Sequence, residues 1–457
     1  MTMPASASIS LPGRIPVRSM GLKLLLVCLL ALLMTIPALC VFALLADRTS
    51  RAHEVTKEVG DLMGGPQTFL GPVLAIPYSA PPQVKDQPPT SGVYLVFPTT
   101  AQAQVAAATE ERHRSLFKVP VFHADLRMDS EFDLTSTPSN APPGATLDWS
   151  RAEFLVGVSD PRGAQADAVL TAGGKSTALA PAVSVADQSS RDDSSSNGLH
   201  FFGASAAGIA QPGARFAASA RLKFSGAQRL AVLPYGKTST LAVNSDWKSP
   251  SFDGGFLPTR QSIDGAGFTA SWSAPFIARG VAAEGGTELI SRLQSSAFGV
   301  SFVEPADPYQ SVSRALKYAL MFVGLVFLAY FVFETMTGKR VHPAQYVLIG
   351  LAQMVFYLLL LSLSEQIGFD WAFVTAASAT VSLISAYAGW VFESRKQGFI
   401  ALVAFSLLYG LIYVLMRLED FALLVGAVTS FLAIASVMYF TRRIAWYGAP
   451  EAEKTSP

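Results

Sequence analysis

The chain has 457 residues, of which 51% are hydrophobic and only 15% are charged, and its mean hydropathy is +0.37. Its apolar residues are gathered in charge-free runs long enough to cross a hydrocarbon core of about 30 Å, which excludes a purely soluble protein. The net charge of +1 and the lack of a basic stripe give no reason to expect a nucleic acid as a partner.

The first apolar run, residues 24–46, is a predicted transmembrane helix. A basic N-terminal flank before an apolar run is also typical of a secretory signal peptide, but the apolar part of such a peptide has about 7–15 residues. This run has 23 residues, and its end has no convincing small-x-small cleavage site. We therefore expect an uncleaved signal anchor over residues 21–46, preceded by a cytoplasmic tail of residues 1–20.

A polar segment, residues 47–314, follows the anchor and is expected on the far side of the membrane. Its first part, residues 51–63, places apolar residues on one helical face and ends at two glycines, which predicts a helical stem that continues the anchor. The apolar residues of this face are Val55, Val59, Leu62 and Met63.

Beyond the stem, apolar and polar residues alternate with a period of two, as in half-buried strands. The clearest examples are residues 123–134 and 215–224, and further short runs read SGVYLVFP, AEFLVGVSD, QRLAVLPYG, STLAVNSDW and GFTASWS. Because no long amphipathic helix separates these strands, the pattern favours an antiparallel β domain, sandwich-like or barrel-like, built as one unit or as two. The Ser- and Asp-rich stretch 186–198 is typical of a mobile loop.

Five more apolar runs follow the β-rich segment, and each approaches the ~20 residues that a spanning helix needs. They predict a five-helix transmembrane bundle over residues 315–441 and a cytoplasmic tail over residues 442–457. The whole sequence thus predicts an α+β membrane protein with a β-rich domain and six transmembrane helices, one N-terminal and five C-terminal. The five runs are residues 316–333, 344–363, 371–392, 399–416 and 421–440.

Basic residues beside the predicted helices give the orientation, because short cytoplasmic loops are enriched in Lys and Arg. If the N-terminus is cytoplasmic, the short outside loops contain only Arg417. Both termini are therefore expected in the cytoplasm. The nine basic residues of the inside flanks are Arg14, Arg18, Lys23, Lys339, Arg340, Arg395, Lys396, Arg442 and Arg443.

The stretch FVFETMTGKRVHPAQY, residues 331–346, is the predicted cytoplasmic turn between the second and third crossings. Lys339, Arg340 and His342 are the exposed candidates for contact with a cytoplasmic partner, although an interpretation as determinants of topology is favoured. The predicted crossings carry no ionisable group deep in the bilayer, and Glu334 lies at a helix end. This pattern favours a scaffold over a proton or ion pathway.

No motif for catalysis or for nucleotide binding is present: the chain has no G-x-S-x-G elbow, P-loop, dinucleotide fingerprint or H-E-x-x-H helix. His123 and Asp125 would share one strand face, but no third metal ligand lies nearby, so a solvated strand face is the favoured interpretation. The sequence predicts no catalytic residue, no cofactor and no metal site, and a protein that is not an enzyme.

Several long blocks resemble the CreD family of bacterial inner-membrane proteins, in the same order and at similar spacing, over nearly the whole chain after residue 20. The chain departs from the family pattern at Pro161, where the family has alanine. The blocks are GPQTFLGPVLAIP (65–77), VGVSDPRGA (156–164), SDWKSPSFDGGFLPTR (245–260), GFTASW (267–272), EPADPYQSVSRALKYAL (304–320), FVFETMTGKRVHPAQY (331–346), YLLLLSLSEQIGF (357–369) and YFTRRIAWY (439–447).

The resemblance implies a multi-pass inner-membrane protein, with the β-rich segment in the periplasm, that contributes to cell-envelope integrity and to the envelope-stress response. It brings no catalytic residue and no cofactor. A scaffold or binding role through the periplasmic domain is the first hypothesis, with the lipid bilayer, envelope components or other membrane proteins as partners. The alternative is a transporter or lipid-handling channel formed by the C-terminal bundle, in which small residues would allow close helix packing.

Overall fold

The structure, a computed structural model, describes residues 20–82, 89–114, 117–135, 140–182, 198–302, 308–337, 341–417 and 422–442. The chain divides into two compact units. The helical unit comprises Met1–Ser50 and Ala306–Pro457, and the β unit comprises Arg51–Pro305. The predicted loop 186–198 lies outside the described residues, apart from its final glycine.

Helices α1 and α2 are separated by a local break at Met34. Pro37 accounts for the break, because it has no N–H to donate to the carbonyl of Leu33. The helices within the described residues are α1 (Met20–Leu33), α2 (Thr35–Leu62), α3 (Phe276–Arg279), α4 (Glu288–Gln294), α5 (Pro308–Lys317), α6 (Ala319–Thr337), α7 (Pro343–Ile367), α8 (Phe369–Val391), α9 (Arg395–Arg417) and α10 (Ala422–Thr441).

Five stretches in the described part of the chain are long and apolar enough to cross a membrane. Four of them are α6, α7, α8 and α9, and the fifth is Gly21–Leu62, which joins α1 to α2. The predicted class, spanning helices at both ends of a β-rich segment, is thereby confirmed. The sixth predicted crossing corresponds to α10, and its place in a membrane stays a prediction.

Aromatic rings from four helices pack together in the helical unit. The ring of Phe356 on α7 lies 5.6 Å from that of Phe373 on α8 and 5.0 Å from that of Tyr409 on α9, between centroids. Phe322 on α6 lies 4.9 Å from the same Tyr409 ring. All three pairs are edge-to-face, the arrangement that the ring quadrupoles favour. These contacts join α6, α7, α8 and α9 into one bundle.

The β unit contains two sheets among the described residues, one of ten strands and one of eight. The ten-stranded sheet runs β14-β18-β12-β1-β6-β10-β9, with β2 and β5 also on β1 and β17 on β2, and the eight-stranded sheet runs β15-β16-β13-β3-β4-β11-β7-β8. The strands are β1 (Gln67–Ala80), β2 (Thr90–Val96), β3 (Thr100–Arg114), β4 (Phe117–Asp133), β5 (Thr146–Leu147), β6 (Glu153–Val158), β7 (Val169–Ala172), β8 (Lys175–Ala178), β9 (Ala180–Pro181), β10 (His200–Ser205), β11 (Arg215–Ala227), β12 (Arg229–Val232), β13 (Thr238–Ser245), β14 (Pro250–Gly254), β15 (Arg260–Asp264), β16 (Gly267–Ala274), β17 (Glu284–Gly285) and β18 (Phe298–Phe302).

Both sheets are mixed, which corrects the expectation of a purely antiparallel domain. Strand β1 pairs in parallel with β12, and β3 pairs in parallel with β13, while the other neighbours are antiparallel. Each parallel pair joins strands that are far apart along the chain, so a long connection leads from one to the other. Alternation within a single strand carries no information about this choice.

The two sheets pack face to face around one hydrophobic core, which gives a sandwich within a single unit. The predicted alternation is confirmed in β4, where Leu126 and Met128 are buried while Arg127 is exposed. Ring contacts connect the sheets: Phe69 of β1 lies 5.4 Å from Phe224 of β11, edge to face. The remaining face of the eight-stranded sheet is left for polar side chains.

The C-terminal part of α2, from Arg51 onward, belongs to the β unit and packs on its strands. Val59 and the following Met63 contact a small cluster that contains Val119 and Val121. The helix ends where two glycines adopt left-handed backbone angles, as the sequence predicts. Leu62, however, is 73% exposed, so its expected place on the packed face was wrong. The helix turns it away from the cluster that its neighbour Met63 contacts.

Candidate functional site

A groove of about 1190 Å³ lies on the outer face of the eight-stranded sheet. Period-two alternation builds it, because each strand that buries apolar residues presents polar residues on the opposite face. On β3 the outward residue is Gln104, on β13 it is Asn244, and on β16 it is Ser271. The groove is thus a broad concave surface on which polar side chains are held by rigid strands.

Four cations and two carboxylates line the groove: Arg127, Arg221, Lys223 and Arg260, with Asp125 and Asp167. Lys223 pairs with Asp125 at 3.5 Å, and Arg127 Nε lies 3.0 Å from Asp129 Oδ2 on the same strand. Within the described residues, Arg221 and Arg260 have no carboxylate at salt-bridge distance. The lining therefore presents a net positive charge, part of which has no partner among the described residues.

Strand register places three of these arginines in one row across the sheet. Arg127 is paired with Gln104 of β3 on one side and with Arg221 of β11 on the other. The row continues from Gln104 through Ala242 and Ser271 to Arg260. With about 4.8 Å between strands, Arg260 lies about 19 Å from Arg127 along the row. Like charges directly opposite each other, such as Arg127 and Arg221, are unfavourable for the sheet itself.

The helical unit contains an ion pair that the sequence did not reveal. Glu334 of α6 is only 3% exposed, and it accepts a hydrogen bond from the ammonium of Lys23 on α1. Its carboxylate also accepts hydrogen bonds from the backbone N–H of Val341 and the hydroxyl of Tyr346, each at 2.9 Å. Glu334 lies in the last turn of α6, at the helix end where the sequence places it, and the contact with Lys23 buries its carboxylate inside the protein.

His342 caps the start of α7. The ring Nδ1 of His342 accepts a hydrogen bond from the backbone N–H of Ala344 at 3.2 Å, and the backbone N–H of His342 donates to Gln345 Oε1 at 3.1 Å. The following Pro343 is the first helical residue, as the sequence predicts. Lys339 and Arg340 lie outside the described residues. The proposed partner contact of these three residues stays a prediction, and the structure gives His342 a capping role.

Two of the blocks that carry the family resemblance meet in the β unit around Gln67. The buried amide of Gln67 donates to the carbonyl of Gly64 at 2.7 Å and to that of Asp160 at 2.9 Å, and it accepts from the hydroxyl of Ser159 at 3.2 Å. The Arg162 guanidinium hydrogen-bonds the Asp160 carboxylate, with a closest distance of 2.6 Å, and holds the pKa of Asp160 below its usual range. These hydrogen bonds hold the two blocks together, so the junction serves the fold.

Metal chemistry finds little support in the described residues, where no group of three or more His, Cys, Asp or Glu side chains is arranged to hold a metal ion. His123 contacts Gln165 through its ring Nδ1, and its Nε2 lies 3.6 Å from Glu110. Asp125 of the same strand pairs with Lys223 instead. The two candidate ligands thus have different partners.

Three comparisons with known proteins extend over different parts of the chain. The family model described as "Inner membrane protein CreD" matches residues 19–447. The curated "Inner membrane protein CreD" of Escherichia coli (strain K12) is 30% identical over 431 residues, which covers 91% of each chain. A crystal structure of a candidate protease from Parabacteroides distasonis covers 56% of this chain and 58% of its own, with 9% identity and a TM-score of 0.19, too low to carry an argument.

Proposed function

The chain belongs to the CreD family of inner membrane proteins, and on that premise we propose that it contributes to cell-envelope integrity as a binding protein, with its β unit in the periplasm. The proposed ligand is an anionic glycan of the envelope, held in the groove of the eight-stranded sheet. The helical unit would anchor the protein in the lipid bilayer, with both termini in the cytoplasm. The proposed role is binding, without catalysis.

The observation that supports this function is the row that contains Arg260, Arg127 and Arg221. Its cations stand at the two ends of about 20 Å of sheet, with the neutral polar side chains of Gln104 and Ser271 between them. An extended chain of sugars that carries acidic groups matches this pattern, since hydroxyls can bond to the middle and carboxylates or phosphates to the arginines. Arginine binds both anions through paired N–H donors.

Binding of fluorescent polygalacturonate to the full-length protein in detergent tests the proposal, with labelled neutral dextran of equal size as the reference ligand. Each of Arg127→Ala, Arg221→Ala and Arg260→Ala should weaken binding by about tenfold, because a hydrogen bond to a charged group is worth about 1.5–3 kcal/mol. Affinity should also fall as salt rises.

Arg215→Ala is the matched control, since Arg215 lies on β11 outside the groove and pairs with Asp133 at 2.9 Å. It should leave the affinity unchanged. The triple variant combines Arg127→Ala, Arg221→Ala and Arg260→Ala. If dextran binds as tightly as polygalacturonate, or if this triple variant binds polygalacturonate like the wild type, the groove is not an anion site. The proposal also makes a prediction for cells that lack the protein. There, the triple variant should fail to restore survival under envelope stress, whereas Arg215→Ala should restore it.

A transporter or lipid-handling channel is the second candidate, and one observation favours it: polar side chains are buried inside the helical unit. Complementation with a chain ending at residue 314 separates the two candidates. Survival at the full-length level would show that the C-terminal bundle is dispensable and would exclude transport. Failure of a stably displayed short form would favour a role for the bundle beyond anchoring.

A further inference from the structure

Three polar side chains are buried together in the aromatic centre of the helical unit. Gln353 and Tyr357 lie on α7 and are 0% exposed, and Tyr409 lies on α9 and is 2% exposed. Gln353 and Tyr357 are four residues apart, so they stand one above the other on the same helix face. The ring of Phe356 lies 5.0 Å from the rings of both Tyr357 and Tyr409, so the two tyrosines contact the same ring.

None of these polar groups has a partner in the described part of the chain. Both amide atoms of Gln353 and the hydroxyls of Tyr357 and Tyr409 make no hydrogen bond there. Other buried phenols of the same chain are paired: Tyr346 donates to Glu334 at 2.9 Å, and Tyr235 of the β unit donates to the carbonyl of Gln102 at 3.0 Å. The hydroxyl of Tyr330, on α6, makes no hydrogen bond to the described residues either. What distinguishes the cluster is that unpaired groups on two helices meet around one ring, since Phe356 contacts both Tyr357 on α7 and Tyr409 on α9.

Physical chemistry limits what can pair with these groups. An unpaired amide or hydroxyl is unfavourable in any apolar interior, and a membrane offers no bulk water to compensate for it. Buried water molecules occupy such places in proteins, where each makes 2–4 hydrogen bonds to otherwise unsatisfied groups, while truly dry cavities are lined by apolar atoms. The three side chains supply both donors and acceptors and no charge, which suits a neutral molecule and not an ion.

We propose that Gln353, Tyr357 and Tyr409 form a hydrated site inside the helical unit, occupied by bound water that bridges α7 and α9. The site belongs to the helical unit, and the proposal does not depend on the ligand of the groove in the β unit. A small neutral hydroxyl compound would satisfy the same donors and acceptors, so water is the simplest member of the ligand class. The bundle then contains a polar site away from its ends, which a plain anchor does not need.

Hydroxyl-radical labelling of the full-length protein in detergent, with radicals generated from water by a short X-ray pulse and read by mass spectrometry, tests for this water. Tyr357 and Tyr409 should be labelled several times faster than Tyr235, which is equally buried, has the same ring chemistry and is fully hydrogen-bonded. If both tyrosines are labelled no faster than Tyr235, the site is dry and the proposal is wrong.

Substitution of Gln353 gives a second test, in which the direction of the change in melting temperature decides. Gln353→Leu removes two hydrogen-bonding atoms at similar volume, so it should raise the melting temperature if the amide is unpaired and lower it by a few degrees if the amide holds water. The labelling of Tyr357 and Tyr409 should fall in the same variant. Leu360→Met, on the same helix and equally buried, is the control and should leave the labelling unchanged.

Tyr357→Phe keeps the test decisive if Gln353→Leu does not fold. It removes one hydroxyl and no ring atom, and it should slow the labelling of Tyr409 by severalfold. A Tyr409 labelling rate that is unchanged in Tyr357→Phe and equal to that of Tyr235 would overturn the proposal.

Discussion

The β unit and the helical unit place their polar side chains on opposite sides of their packing. In the eight-stranded sheet, apolar residues face the core, and charged residues such as Arg221 face outward. In the helical unit, Leu29 is 56% exposed and Leu407 is 71% exposed, while Glu334 and Gln353 are inside. The difference follows from the surroundings, since water accepts polar groups and hydrocarbon does not.

The comparison teaches where to look for chemistry in each unit. On the β unit, polar groups on the surface are ordinary, and only their arrangement in a concave row marks a site. In the helical unit, a single buried amide already requires an explanation. Arg279 of the β unit departs from this pattern, because its charged side chain is buried. Its guanidinium lies 4.2 Å over the ring of Phe97, and burial lowers its pKa to about 10.

Among the substitutions considered, Glu334→Leu in the helical unit should lower the free energy of unfolding most. It leaves the ammonium of Lys23 without its carboxylate and removes the acceptor of Tyr346. Loss of one partner of a buried pair costs about 3–5 kcal/mol, and the partial exposure of Lys23 places the effect near the lower end. Thermal unfolding of the full-length protein in detergent measures it.

The control for this variant comes from the other unit. Glu58 and Arg114 form an ion pair at 2.8 Å in which both side chains are about half exposed. Glu58→Ala should therefore change the free energy of unfolding by less than about 1 kcal/mol. The double variant Lys23→Met/Glu334→Leu should regain most of the lost stability. Equal effects of Glu58→Ala and Glu334→Leu on the free energy of unfolding would show that burial of the Lys23–Glu334 pair does not matter.

Gln67 is the counterpart of Gln353 in the β unit: it is buried, but its side-chain amide is hydrogen-bonded. Gln67→Leu therefore tests what a paired buried amide contributes. The change leaves the carbonyls of Gly64 and Asp160 without their donor and should cost about 1–3 kcal/mol. Gln104→Leu, on the exposed face, should stay within about 0.5 kcal/mol. Unfolding midpoints of the two variants give the result, and a neutral Gln67→Leu would mean that neither carbonyl needs this amide.

Asp160→Asn tests an exposed pair by its pH dependence. Arg162 lowers the pKa of Asp160 in the folded state, so the pair stabilises the protein above the unfolded pKa of about 3.9, and this contribution is lost as the pH falls through the lower folded value. The variant should be less stable than wild type by at most about 1 kcal/mol at neutral pH. The difference should vanish at acidic pH, and a difference that grows as the pH falls would contradict the assignment.

Arg221→Ala should have the smallest effect on stability and the opposite sign. It removes a cation that stands opposite Arg127 in the sheet, so the unfolding free energy should rise by about 0.2–1 kcal/mol. Binding of polygalacturonate should fall in the same variant. A clear loss of stability would show that Arg221 serves the fold and not a ligand.

Local patterns in the sequence predicted the elements well. The alternation of Leu126 and Met128 with charged residues gave β4, and the fixed backbone of Pro343 gave the start of α7. The apolar runs gave the helices because a membrane requires an uninterrupted length of apolar side chains. Each of these signals lies within one element.

Contacts between distant residues could not be predicted in this way. Lys23 and Glu334 are 311 positions apart, and each resembles an ordinary helix-end charge on its own. Gln353 sits in an apolar run that reads as a normal crossing, and only the packed structure shows that its amide has no partner in the described chain. The groove likewise depends on strand order, which brings Arg260 and Arg127 into one row.

The parallel pairing of β3 with β13 has a consequence for the order of events during synthesis. The register joins Thr100 to Thr238, so β3 leaves the ribosome long before its neighbour exists. At about 5–20 residues per second, the delay is on the order of ten seconds. Throughout that time one edge of β3 remains open to other chains, and so does the matching edge of β1, which waits for β12. The parallel register thus closes this edge of β3 only after β13 has been made.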